Sequence, residues 1–292
     1  MSLQPGRPVG HGRGVILVML AGVAFSFVGV VVRFVDNADG WQIVFYRSAG
    51  LLPMMLLLLA LRRRGRIVTA FRAAGWTAAI GGLFLAGGFT SMIFALVNTT
   101  VANTLFIFAA GPFLIAVLAR LVLGERVALR TWLAMSVAVI GVATMVGGSI
   151  GGGRLLGDLS ALLAAFCLAG FAVSLRAGKQ TEMLPTVVLG AVFSMLLCAL
   201  MMESFVVSLH DLVLCLALGV FIVGSGLAFY TFGSKYVPAA ELGLLALTEV
   251  VLGPVWVWLA VGETPEALAL FGGAMVLAAV VFQSLAGWRR PA

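Results

Sequence analysis

Apolar runs long enough to cross a bilayer, parted by short polar breaks, follow one another from Gly14 to Trp288. A hydrocarbon layer of ~30 Å takes about 20 apolar residues at roughly 1.5 Å of helical rise each. On that measure the pattern predicts ten helices, over residues 14–35, 40–61, 74–97, 100–123, 131–148, 155–177, 185–203, 211–235, 239–261 and 266–288. The expected fold class is an all-α integral membrane protein. The fifth run is short, and the glycine-rich stretch from Gly147 to Gly153 behind it is the one obvious linker, at the midpoint of the chain.

The two sides of that linker share a plan. Polar residues Asn98, Thr99, Thr100, Asn103 and Thr104 lead into an apolar run with a Gly111-Pro112 break, which closes on Gly124-Glu125. The run that follows Glu241 carries a Gly253-Pro254 break and closes on Gly262-Glu263. A shift of 138 residues, the difference between Gly262 and Gly124, lays one Gly-Glu pair on the other. The chain is therefore expected to hold two five-helix repeats, 14–148 and 155–288, in one membrane domain. Five is odd, so the repeats must run in opposite senses across the bilayer. Interrupted helices at matching places in inverted repeats, here at Pro112 and Pro254, point to a binding site near the midplane.

Composition sharpens this picture. A chain that is 62% hydrophobic and 10% charged, with mean hydropathy +1.17, has too little polar surface to clothe a water-soluble globule. Its net charge of +7 would suggest nucleic acid in a soluble protein. Here the basic residues gather in short loops instead, as the positive-inside rule requires, and no nucleic-acid partner is expected. With a cytoplasmic N-terminus, fifteen of the Lys and Arg residues fall inside, among them Arg62, Arg63, Arg64, Arg66 and Arg72 in a single loop. Arg154 is then the lone basic residue in an outside loop. Both termini are expected in the cytoplasm. The first run is too long for a signal-peptide core and passes into Arg33 without a cleavage site, so it should remain as a helix. Cys167, Cys198 and Cys215 show no disulfide or metal spacing and read as small core residues.

Candidate chemistry is sparse. The two histidines, His11 and His210, lie in the N-terminal tail and an outer loop, which leaves no His-based nucleophile or metal set at membrane depth. No glycine-rich phosphate loop with its lysine is present, and no cofactor is expected. Hydrolytic, metal-dependent and nucleotide-driven chemistry thus lacks its residues, although an intramembrane enzyme of another kind stays open, as does a channel.

Glu249 stands out, an acid about ten residues into its run, roughly 15 Å deep by helical rise. An ionisable group at that depth is a site by default, either meeting a substrate amine or binding a coupling proton. The alternative is a protonated acid that hydrogen-bonds a neighbouring helix or a carbonyl freed at Pro254. Thr248 beside it shares either duty. Arg47, about 10 Å into the second run by the same rise, either snorkels and holds helix ends or attracts an anionic group. Glu125 and Glu263, at helix ends, read as capping or ion-pairing groups. The candidate lining combines ring faces (Phe25, Phe106, Phe108, Tyr230, Trp256) with polar groups (Asn103, Thr104, Ser225, Thr248, Glu249), a set able to hold both ends of a zwitterion.

Phe45-Tyr46-Arg47, then Gly111-Pro112 with Leu123-Gly124-Glu125-Arg126, then Glu249 ahead of Val261-Gly262-Glu263, resemble the EamA-like branch of the drug/metabolite transporter superfamily over nearly the whole chain. The pattern is most similar to the YddG-type aromatic amino-acid exporters. That family usually places Pro directly after the acid, where this chain has Val250. The resemblance implies a bacterial inner-membrane carrier with helices one, three, four, six, eight and nine around a central cavity, and five and ten at the periphery. It also implies export of small amphipathic metabolites, foremost aromatic and other apolar amino acids. The rival within the carrier class is a broad drug or organic-cation exporter. Expected partners are the small-molecule substrate and the lipid bilayer; the sequence does not fix an oligomeric state.

Overall fold

The computed structural model describes residues 11–124, 127, 129–149, 153–177, 184–237 and 239–288. Glu125 and Arg126, the centre of the glycine-rich linker, Lys179, Arg289 and Arg290 lie outside the described residues, as do the side chains of Arg176, Lys235 and Glu241. Ten membrane-spanning helices follow one another, and no strand occurs among the described residues. In chain order they are α1 (His11–Arg33), α2 (Gly40–Arg62), α3 (Ile67–Asn98), α4 (Val101–Leu123) and α5 (Leu129–Ser149). The second five are α6 (Leu155–Ala177), α7 (Leu184–Met201), α8 (Leu209–Gly233), α9 (Ala239–Val261) and α10 (Ala267–Trp288). The fifth helix is a full span rather than a short one.

Local chemistry sets the ends. Asp39 accepts from the Gln42 amide at 2.8 Å while the Gln42 side chain accepts from the Asp39 amide at 3.0 Å, a reciprocal cap that starts α2. Thr100 caps α4 and Ser208 caps α8 in the simpler way, each hydroxyl accepting an amide of the first turn. Gly124 and Gly262, the pair related by the 138-residue shift, close α4 and α9 with φ of 68° and 71°, a left-handed turn that a side chain would oppose. A third positive φ, at Gly75, bends α3 between a short lead-in and the span proper, which begins close to the expected position.

Packing repeats under exchange of each helix with the one five places later. The α3–α6 contact has its counterpart in α8–α1, α3–α7 in α8–α2, and α4–α6 in α9–α1, while α2–α7, α4–α9 and α5–α10 are their own counterparts. Two five-helix repeats of opposite sense give this pattern. In a bilayer the helices gain little by hiding apolar surface from lipid, so small residues that let backbones approach do much of the joining. Gly141 of α5 and Gly272 of α10 face each other reciprocally, and a Cβ on Gly141 would stand 2.6 Å from the Gly272 carbonyl oxygen. Gly14 of α1 and Gly233 of α8 do the same.

The interruptions differ in part from those the prolines suggested. Pro112 does begin a new segment: α4 runs from Val101 to Phe108, turns at Ala109-Ala110 and resumes at Gly111. Pro254 does not break α9, which continues through it. Packed transmembrane helices tolerate an internal proline because the single lost amide leaves the remaining ladder intact. Two further irregularities carry no proline. A turn at Phe27 divides α1, with the Phe27 amide bonding back to Ala24, and residues Leu218–Gly224 of α8 form a π-helical stretch.

Candidate transport site

Polar side chains concentrate at the end of the bundle that holds the α1–α2, α3–α4, α5–α6, α7–α8 and α9–α10 connections, external in the orientation expected from the loop charges. There Arg33 donates to Glu263 at 2.6 Å and also to the carbonyls of Leu96 and Thr99. The other Glu263 oxygen accepts the Val101 amide at 2.7 Å. One ion pair thus joins the ends of α1, α3, α4 and α9. Asp158, fully buried in the first turn of α6, accepts from the Thr99 hydroxyl at 2.8 Å and the Asn103 side-chain Nδ2 at 3.2 Å. Asp211, equally buried, accepts the backbone amides of Asp36, Asn37 and Ala38, each at 3.0 Å, and so holds the α1–α2 loop. Arg154 pairs with Glu266 across the remaining connections.

Glu249 has none of this company. It sits near the middle of α9, half-buried, and makes no hydrogen bond or ion pair with any described residue. Leu245, Thr248, Glu249, Leu252 and Trp256 are all half-buried and recur at helical spacing, so they form one face. That face meets α1. A Cβ on Gly22 would stand 3.1 Å from the Thr248 Cβ and 3.6 Å from the Glu249 amide nitrogen. Two turns further along, the Trp256 indole donates to the Ser26 hydroxyl at 3.0 Å and stacks on Phe27, with centroids 5.3 Å apart and planes 11° from parallel. The aromatic pair therefore sits on the interruption in α1. Also on α1, the Phe25 ring lies against Gly226 of α8. Tyr230, one turn beyond Gly226, is half-buried.

Of the residues singled out in the sequence, Thr248, Glu249 and Trp256 meet α1, which itself carries Phe25, and Tyr230 is on α8, the helix that Phe25 touches. The others have different surroundings. Asn103 is buried and bonded to Asp158, and Thr104, fully buried, donates to the Thr100 carbonyl at 3.0 Å. Phe106 packs on Gly273 of α10, while Phe108, two residues on and half-buried, points away from it. The Ser225 hydroxyl bonds back to Phe221 and Ile222 of its own helix. Ser26, Phe27 and Asp158 join the picture only in three dimensions. An apolar cavity of about 190 Å³ between α3, α4 and α6, lined by Ile80, Phe84, Leu118, Val122 and Val173 among others, is separate from the Glu249 face.

Known proteins bear on this geometry. The profile of the EamA-like transporter family matches residues 12–147 and again 155–285. The chain is similar to the pseudopaline exporter CntI of two Pseudomonas aeruginosa strains, 27% identical over 278 residues that cover 92% of this chain and 94% of the exporter. A crystal structure superposes with a TM-score of 0.67 at 18% identity, covering 96% of this chain and 100% of its own, a likeness of fold. Ten helices in two inverted repeats, and a family match that takes in nearly the whole of both, have one meaning: the chain belongs to the EamA-like transporter family and is a multi-pass membrane transporter.

Proposed function

We propose that this transporter is a secondary carrier that moves small amphipathic metabolites, foremost aromatic and other apolar amino acids, outward across a bacterial inner membrane by alternating access. The observation that carries the reading is the convergence of an unpartnered mid-membrane acid, Glu249, and a tryptophan, Trp256, on an interrupted α1. An ammonium group is the natural partner for Glu249 in a low-dielectric site. Ring faces of Phe25, Phe27, Tyr230 and Trp256 offer an apolar side chain its wall, with Thr248 a hydroxyl beside the acid and Phe108 a further ring on α4. Burying a Phe-sized side chain contributes about 1.5–3 kcal/mol, so binding is weak and tolerant, which suits release on the far side. The outward direction is supported by the exporter CntI. Without a nucleotide motif, uphill export draws on an ion gradient, and Glu249 is the group to exchange a proton for the solute's ammonium.

A second reading has its own observation. The face of α9 that meets α1 carries an acid and no basic residue, which suits a broad exporter of organic cations as well. Proteoliposome uptake against a panel of apolar amino acids and cationic dyes separates the two. Uptake of phenylalanine and leucine, abolished in Glu249→Gln, is expected; uptake of dyes with no apolar amino acid would sink the amino-acid assignment. Glu249→Gln that keeps full flux and its response to an imposed pH gradient would remove the coupling role.

A further inference from the structure

Arg47 is an arginine that the fold buries and does not pair. It is 3% exposed, about a third of the way along α2, which packs on α3, α7 and α8, and its Nε and Nη2 have no hydrogen-bond partner among the described residues. Its guanidinium carbon lies 4.4 Å from the centroid of the Phe89 ring of α3, and Cys198 of α7 and Cys215 of α8 are within electrostatic range of it. The acids beyond those cysteines are engaged elsewhere: Asp39 caps α2, and Asp211 holds the α1–α2 loop. A buried guanidinium without an anion carries a desolvation penalty that a ring face offsets only in part. Arg33 shows what a structural arginine looks like in this protein, with a carboxylate and two carbonyls satisfying its fork. Snorkelling does not account for Arg47 either, because its head is itself buried.

We propose that Arg47 is a carboxylate-binding site, the place where the acid group of the transported solute is held, with Phe89 covering the guanidinium when no ligand is bound. The planar fork matches a carboxylate by two parallel hydrogen bonds, and Nε and Nη2 are one of the two donor pairs that can make them. Phe89 is half-buried, whereas the guanidinium that its ring covers is buried. This deepens the reading above and rests on it for the ligand's identity as the transported solute. It selects acids and zwitterions over simple cations.

The test uses the purified full-length protein in detergent, with thermal unfolding in the presence of 3-phenylpropionate, L-phenylalanine or phenethylamine at equal concentration. The two carboxylate probes are expected to raise Tm by about 2–4 °C, and phenethylamine by less. Arg47→Gln and Arg47→Met are expected to lose the 3-phenylpropionate shift while their ligand-free Tm stays at or above that of the wild type. Phe89→Leu is expected to keep the shift and reach it at lower ligand concentration. Absence of any carboxylate shift in the wild type, or its persistence in Arg47→Gln, overturns the proposal. So does a fall in ligand-free Tm, or loss of folding, in both Arg47 variants, which would make the guanidinium a structural clamp. The amino-acid reading fails separately, by absent phenylalanine flux in liposomes while 3-phenylpropionate still shifts Tm.

Discussion

The acids of this protein divide by whether the fold gives them partners. Glu263, Asp158 and Asp211 each accept two or three hydrogen bonds and hold connections at one end of the bundle, while Glu249 is left to a ligand or a proton. Removing an acid from the first group is a stability experiment. Glu263→Gln is expected to lower unfolding stability by about 1–3 kcal/mol, since the Arg33 guanidinium, only partly exposed, loses its carboxylate. Denaturation in detergent measures it, and an unchanged Tm would deny the ion pair its role. Phe106→Ala makes the contrasting case. With the ring packed on Gly273, truncation is expected to cost about 3–5 kcal/mol and to leave solute selectivity as it was. Altered selectivity at full stability would return Phe106 to the transport path. The sequence made Glu249 legible because an acid in an apolar run has few explanations. It also placed Glu263 at a helix end with a capping or pairing role, but not its partner, since Arg33 lies 230 positions away. The Ser26–Trp256 bond spans the same distance and was hidden for the same reason. The facing of Asn103 and Phe106 was equally out of reach, because in lipid an apolar ring fits the cavity, the core and the membrane alike.

At the scale of helices, apolar length located nearly every span, because the bilayer imposes a minimum that chance rarely meets ten times in order. The interruptions were harder. Pro112 sits just past a true turn, whereas Pro254 lies within a continuous helix, and the turn at Phe27 and the π-helical stretch of α8 follow from packing without a residue that announces them. The reciprocal contact of Gly141 with Gly272 supplies an element-scale prediction. Gly141→Ala would set its new methyl against a carbonyl of α10, and parting those helices is expected to cost about 1–3 kcal/mol. Gly147→Ala, on the same helix but with nothing within 4 Å of its Cβ position, is the control and should unfold as the wild type does. Equal stability of the two variants would mean that α5 and α10 are not held by close backbone approach.

For the whole molecule, duplication was legible in one Gly-Glu pair repeated after 138 residues, and the two glycines prove to be equivalent helix stops. Orientation rests on charge. Both termini and the Arg62–Arg72 loop are expected in the cytoplasm, so an impermeant thiol reagent on intact cells should modify a cysteine placed at Val206 and spare one placed at Arg64. The opposite result would invert the protein in the membrane. The central claim, that this is a carrier for apolar amino acids, is tested most directly by counterflow. Proteoliposomes loaded with unlabelled phenylalanine should accumulate external labelled phenylalanine faster than empty ones, with a rate that saturates as external concentration rises, because a site open to one side at a time is shared by solute from both. Uptake indifferent to internal phenylalanine and rising linearly with concentration would contradict the account and point to a pore.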